Sequence, residues 1–403
     1  MCIIILAGCA NLPASTSSLP SRAQQASGSA GFQTLHIFDK QRDGIIPVGR
    51  LLHYKGTFYG TTNFGGDPSK RCYPALACGT VYKFDPPSAV TVLYRFTGKT
   101  NGTRPYAGVI NVNGVLYGTT QDGGTHNEGT VFAITTAGDE RVAYSFGGKD
   151  GNDPRTSLTS VDGVLYGTTY YGGKAETGTV FRVTTSGTEK VLHSFIGGDD
   201  GALPLGAVVV SNGVLYGTTA SGGANDSGTV FAVAPDGSNY RVLYSFQGGT
   251  DGAFPFTGLT ELNGTLYGTT EKGGAENKGT VFSITPSGSE AVIHNFGSGT
   301  DGFYPYSGLT VFNGELYGTT AYGGTNGKSG VNPETKKPAS QGTIYTITPS
   351  GSETVIHNFT GGPGGRVPYA DLTVANGTLY GTTIWGGNKG QKGGTGTLFD
   401  VAP

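Results

Sequence analysis

Methionine and tryptophan each occur once in 403 residues, and charged side chains make up only 13% of the chain, about half the usual share. Helical periodicity is hard to find anywhere, which leaves short strands as the building material. The net charge is −2, so the clustered excess of Lys and Arg that a nucleic-acid footprint needs is missing. There are six histidines and four cysteines, and no Cys/His spacing matches a zinc site. No Ser-His-Asp arrangement is visible. No phosphate loop is present either, because the Gly-Gly pairs fall in β loops with no helix behind them. What is abundant is glycine, at 72 residues more than twice the usual share. Many short strands joined by tight glycine turns give that profile.

The glycines belong to a repeated word. Y-G-T-T-x-x-G-G begins at Tyr59, Tyr117, Tyr166, Tyr216, Tyr267, Tyr317 and Tyr380. The step between plain copies is about 50 residues, a period typical of propeller blades. The two longer steps carry insertions, Asp67 to Ala77 and Thr325 to Gln341. In the copy from Pro105 to Phe146, Ala107 to Val112 reads as a first strand ending in Asn113-Gly114, a strong hairpin signal. Val115 to Thr119, Gly129 to Thr135 and Arg141 to Phe146 read as the second, third and fourth strands, rich in β-branched and aromatic types. The runs are nearly continuously apolar, so both sheet faces must be covered, as happens when small sheets stack around an axis.

Counting strands sets the blade number. A lone fourth-type strand, Phe32 to Phe38, precedes the first copy, and the chain stops at Gly396 to Ala402, a third strand without a fourth. The sequence therefore predicts an all-β fold, a seven-bladed β-propeller with four antiparallel strands per blade. Its N-terminal strand closes the last blade and leaves no sheet edge. An open solenoid would need caps, and none is seen. Three parts follow: residues 1–8, residues 9–31 and a single propeller over residues 32–403.

The strand order, with N-G after the inner strand and L-Y-G-T-T…G-G on the second, is similar to the kelch plan of propeller blades. The words L-Y-G-T-T-x-x-G-G, G-T-V-F and the V-L-Y-S-F type strand resemble, more specifically, the GloVer-type tandem repeat of bacterial surface proteins. The resemblance covers residues 32–403. Members share the repeat and differ in their membrane or wall anchor, so it implies an exported, anchored protein. It transfers no catalytic residue.

The N-terminus fits that expectation. Ile3 to Leu6 is apolar, and Leu6-Ala7-Gly8-Cys9 resembles the end of a lipoprotein signal, in which Cys9 becomes the lipid-modified first residue. The pattern lacks a basic leader and has a very short apolar core, so residues 1–8 read as a truncated signal; the alternative is a chance apolar start. Residues 9–31, rich in Ser, Ala and Gln, read as a flexible tether. Cys72 and Cys78 flank a short loop at the first insertion, with Pro74 between them, and make a local disulfide if the protein is exported; otherwise they are two free thiols.

The repeated tyrosines read as inter-blade packing, with hydroxyls satisfied by backbone and the following glycine permitting close approach. His36, His193, His294 and His357 share one position of the fourth strand with Tyr94, Tyr144 and Tyr244, a ring of side chains too far apart to meet on one ligand. Asp-Gly recurs between blades at Asp43, Asp150, Asp200, Asp251 and Asp301, where turn formation or calcium would each account for it.

The copies differ most on one face, onto which the second-to-third loop and the inter-blade loop both open. Before the Gly-Gly pair stand Phe64, Asp122, Tyr171, Ser221, Lys272, Tyr322 and Trp385; after the inter-blade proline stand Val48, Tyr106, Arg155, Leu205, Phe256, Tyr306 and Tyr369. The candidate ligand-binding set is therefore Phe64, Tyr106, Asp122, Arg155, Tyr171, Phe256, Lys272, Tyr306, Tyr322, Tyr369 and Trp385. Aromatic rings with a few charges suit sugar stacking or a protein anchor; the alternative is that they plug the channel mouth. Asp122, Glu128, Arg155, Glu271, Lys272 and Glu276 leave a lyase or hydrolase site conceivable, although no spacing pairs two of them. The expectation is a monomeric surface protein with no cofactor and no catalytic residue. It would bind a glycan or a surface protein and touch the membrane only through a lipid anchor. A structural envelope role without a ligand is the remaining reading.

Overall fold

The computed structural model describes residues 31–66, 78–325, 341–387 and 394–403. Seven small antiparallel sheets surround a central channel, six of them built in chain order from the inside out and the last completed by the N-terminal strand. In the second blade the strands are Ile110–Val112, Val115–Thr120, Thr130–Thr135 and Glu140–Ser145. Asn113 and Gly114 both have positive φ, 52° and 87°, as the tight hairpin turn requires. The innermost strand is shorter than expected, because Ala107 and Gly108 belong to the seam with the first blade. Ala107 O accepts the Thr61 hydroxyl at 2.8 Å, and a Cβ on Gly108 would lie 2.1 Å from Arg50 O.

The ring closes as the strand count predicts. Phe32–Ile37 pairs antiparallel with Thr397–Val401, placing the start of the propeller on the outer edge of the last blade. That blade also carries a fifth short strand, Arg366–Pro368, on its Thr378–Trp385 strand. In the other blades the same contact is a single bridge.

The seams explain the repeated words. The last aromatic of each fourth strand meets a third-strand ring of the next blade, as Phe146 meets Phe181 at 5.0 Å and Phe359 meets Phe399 at 5.3 Å. Phe38, supplied by the closing strand and fully buried, makes the same contact with Tyr82 at 5.2 Å. Each such edge-on pair contributes roughly 0.5–1.5 kcal/mol beyond its buried area. The second threonine of Y-G-T-T bonds the threonine that opens the third strand, as in Thr120–Thr130 at 2.8 Å and Thr383–Thr397 at 2.8 Å. The first threonine reaches across the seam, as in Thr218 to Thr257 O at 2.8 Å and Thr382 to Pro47 O at 3.0 Å. Both sets are buried and paired as burial demands, except the Thr319 hydroxyl of the sixth blade, which finds no hydrogen-bond partner among the described residues.

The repeated tyrosines pack between blades as expected, Tyr117 being 3% exposed in a cluster with Leu158, Leu165 and Phe181 of the next blade. Gly118 is needed for close approach, since a Cβ there would lie 2.5 Å from the Phe132 ring. The hydroxyl of Tyr317 departs from expectation by donating to a side chain, Glu315 Oε2 at 3.4 Å, instead of the backbone.

The His/Tyr position and the Asp-Gly loop are halves of one device. His36 bonds Asp43 at 2.6 Å, His294 bonds Asp301 at 3.3 Å, and Tyr244 donates to Asp251 at 2.8 Å. Each carboxylate also accepts a backbone N–H, as Asp251 does from Gln247 and Asp301 from Gly297. The aspartate thus pins the loop that crosses to the next blade.

Candidate functional site

The two loops expected to share a face do so, and the backbone shows why. Thr103 bridges Asp122, Asn152 bridges Tyr171, Ala253 bridges Lys272 and Phe303 bridges Tyr322, each tying the inter-blade loop to the second-to-third loop of the blade it enters. The residue before each inter-blade proline, from Ile46 to Val367, has φ between 56° and 59°. A left-handed β-branched residue is strained, and a residue before proline is ordinarily extended. The amide of Ile46 donates to Thr395 O at 3.1 Å and that of Val367 to Gln341 O at 2.9 Å, stitching each position to the preceding blade.

The chain then turns down the channel, a cavity of about 770 Å³. Val48, Tyr106, Arg155, Leu205, Phe256, Tyr306 and Tyr369 all line it, so the post-proline set converges as the sequence predicts. Tyr106 and Tyr369 reach each other across the mouth, hydroxyl to hydroxyl at 2.7 Å. Burial pushes the Tyr369 phenol well above its ordinary range, so the pair stays protonated. These two rings are engaged in closing the channel.

The mouth divides into two arcs. On the side of the first three blades Asn63 donates to Gln121 at 3.4 Å, Gln121 to Asp153 at 3.2 Å, and Arg155 Nε to Asp153 at 2.9 Å. The Arg155 guanidinium also lies 4.2 Å from the Tyr170 ring centre, and Arg104 is paired with Asp122. On the side of the fifth to seventh blades the rings of Phe256, Tyr306 and Tyr369 lie 5.3 to 6.0 Å apart. Tyr304 and Tyr322 extend the group outward, at 6.5 and 6.4 Å from Tyr306, and Phe303 stacks on Tyr322 at 5.8 Å. Glu271 stands at the centre of this arc and accepts a long bond from the Tyr306 hydroxyl, 3.5 Å. Burial raises its carboxyl above the usual range, against the opposing pull of Lys272. Burial likewise raises the Tyr322 phenol, with the Glu271 charge adding to it.

Of the predicted site residues, Phe256, Tyr306, Tyr322 and Tyr369 therefore meet. Lys272 borders them with its ammonium 4.8 Å from the Phe254 ring centre. Tyr106 joins them through Tyr369, Asp122 and Arg155 lie elsewhere on the mouth, and Tyr171, 41% exposed, packs on Tyr170. Among the described residues Phe64 and Trp385 join none of these ring contacts. Phe254, Phe303 and Tyr304 also belong here, although they precede the inter-blade proline and so fall outside the two positions at which the copies diverge most visibly. The words F-P-F at 254–256 and Y-P-Y at 304–306 carried the signal.

Both insertions lie outside the described residues save Thr325 and Gln341, as do Cys9 and the two parts preceding the propeller up to residue 30. Cys78 is disulfide-bonded; its expected partner Cys72 is likewise outside them.

Residues 24–175 and 141–332, more than half the chain, match the sequence model of the Gloeobacter/Verrucomicrobia repeat. No curated protein matches the chain. Among solved structures it is similar to an oligogalacturonate lyase from Vibrio parahaemolyticus, with 12% identity over 92% of this chain and 96% of that one and a TM-score of 0.54. An oligogalacturonate lyase in complex with manganese is alike at 12% identity, over 93% and 97% of the two chains, with a TM-score of 0.50. At such identity the likeness is one of fold.

Proposed function

The chain belongs to the Gloeobacter/Verrucomicrobia repeat family, and from that premise we propose that it is a non-catalytic binding module of the cell envelope that takes a glycan on the aromatic arc of its loop face. One observation carries the reading. Tyr304, Tyr306 and Tyr322 are half-buried and lie within 6.5 Å of one another, whereas in the first three blades Tyr106 and Tyr171, at the positions of Tyr306 and Tyr322, are engaged on Tyr369 and Tyr170 instead. Sugar rings stack on such faces, and each phenol adds a hydrogen-bonding edge. Export agrees with the disulfide at Cys78, since disulfides persist in oxidising compartments. In this reading Cys9 carries the lipid anchor.

The test is an oligosaccharide array probed with the wild-type protein and with a Tyr304→Ala, Tyr322→Ala double variant. Saturable binding, lost in the variant while its thermal melt is kept, is expected. Equal binding by both would sink the reading, and capture of proteins alone would move it to a protein partner.

An enzymatic reading draws on one observation, the Glu271 carboxyl beside the Tyr306 phenol. It would be recognised by new ends released from a polysaccharide and lost in Glu271→Gln.

A further inference from the structure

Resting on the glycan-binding reading, we propose that the aromatic arc takes a neutral sugar chain, with Glu271 as the acceptor for its hydroxyls, and rejects polyuronates. The argument starts from which polar groups on this face are still free to bond. Discriminating a uronate requires a cation that can fork onto its carboxylate, a task for which guanidinium is best shaped. Arg104 and Arg155, at the mouth of the second and third blades, are already engaged on Asp122 and Asp153. Arg50 lines the channel from the first blade and Arg366 bridges Trp385 in the seventh, and among the described residues neither makes a cation–ring contact with the aromatic arc. A carboxylate ligand at Arg104 or Arg155 would have to displace a partner that is covalently held in place.

Glu271 is in the opposite condition. Its carboxylate is half-buried among Tyr306 and Tyr322, and its one hydrogen bond from a side chain among the described residues is the 3.5 Å contact from Tyr306. An ionised carboxylate has about four acceptor sites, so most of its capacity is open. Two neighbouring hydroxyls on a sugar ring are suited to fill it as donors. The ring carrying them can lie against Tyr304 or Tyr322, whose faces are 5.9 Å apart at right angles and so offer a corner, not a flat wall. A uronate brought to the same corner would place a second negative charge beside Glu271, in surroundings dry enough to have raised its proton affinity already. Nearby cations offset this only in part, since burial keeps the Glu271 carboxyl raised against the pull of Lys272. Lys272 and Lys278 hold their ammonium groups 4.8 and 5.1 Å from the Phe254 and Phe303 ring centres, at the border of the arc.

The neutral class also separates binding from lyase chemistry at this site. Eliminative cleavage removes the proton beside a uronate carboxylate and expels the glycosidic oxygen, and it needs that carboxylate neutralised. A site that repels the uronate cannot begin the reaction.

Calorimetric titration of the full chain with cellohexaose, mannohexaose and hexagalacturonate tests the inference. At least one neutral hexamer is expected to bind about tenfold or more tightly than hexagalacturonate. Glu271→Gln, which keeps shape and removes charge, is expected to weaken the neutral ligand about tenfold and to narrow the gap to hexagalacturonate. Its thermal melt, run alongside, shows that the fold is intact, and Tyr322→Phe, which keeps the ring, is expected to retain most of the affinity. Equal or tighter binding of hexagalacturonate would overturn the neutral assignment while leaving glycan binding standing. An unchanged neutral affinity in Glu271→Gln would overturn the role of that carboxylate. No binding of any of the three would overturn both this inference and the reading it rests on.

Discussion

The first three blades and the last three present the same backbone to the channel mouth and opposite chemistry. Asp153 and Tyr304 both precede the inter-blade proline, at φ 57° and 56°. Arg155 and Tyr306 both follow it and line the channel. Gln121 and Glu271 both precede the bridged residue of the second-to-third loop, and each amide donates to the pre-proline carbonyl. In the polar arc these side chains satisfy one another, from Asn63 through Gln121 to Asp153 and Arg155. In the aromatic arc they do not, and Glu271 is left with acceptor capacity beside half-buried rings. The two arcs thus differ in how far the chain pairs its own polar groups, not in the course of its backbone.

The comparison presupposes one closed ring, so the largest expected effect comes from opening it. Deleting residues 32–38 removes the outer strand of the last blade and should abolish a single cooperative melt. Phe38→Ala alone, which empties a fully buried seam position, should cost about 3–5 kcal/mol in denaturant unfolding. An unaltered transition in either variant would refute closure by this strand.

A smaller effect should separate the arcs. Asp153→Ala leaves Arg155 and Gln121 without their acceptor and should cost about 1–3 kcal/mol of stability, with oligosaccharide affinity unchanged within about twofold. Loss of affinity in that variant, with its melt intact, would place the ligand on the polar arc and reverse the assignment.

The smallest effect concerns the rim, where the seams themselves differ. Burial raises the Glu189, Glu290 and Glu353 carboxyls to about 7, helped by Asp150, Asp251 and Asp301 respectively, with His294 opposing at Glu353. Tyr144 stands beside Glu189, and Tyr244 beside Glu290. A folded-state value above the unfolded one near 4.3 contributes stability that is fully present below about pH 4 and lost as pH rises through about 7. The melting temperature should therefore fall between pH 5 and pH 8, and changing all three residues to Gln should flatten the slope. Glu140, whose seam carries Asn101 in place of the aspartate, supplies the internal control: Glu140→Gln should change the slope least.

Architecture was legible because its signals are local and repeated. Asn-Gly turns, β-branched runs and the Y-G-T-T word each report a few adjacent residues, and counting them reveals the unpaired strand at one end and the vacancy at the other. The shared face of the two loops was also readable, since strand order alone decides which loops open together. The site was legible only as a list of positions. Nothing near Arg155 in the sequence says that it is held by Asp153 while Asp153 also takes Gln121, which lies 32 residues away in the preceding blade. The Tyr106–Tyr369 bond spans 263 residues and exists only because the ring closes.

The sequence by itself determined the all-β class, the seven blades, the closing strand and the face on which copies diverge, because each follows from short-range periodicity and a count. Tertiary structure alone decided which divergent residues bond one another and which keep unfilled hydrogen-bonding capacity. That division has a physical cause: hydrogen-bond and ring contacts at the mouth join separate loops and, in Gln121–Asp153 and Tyr106–Tyr369, separate blades, across distances that chain order does not encode.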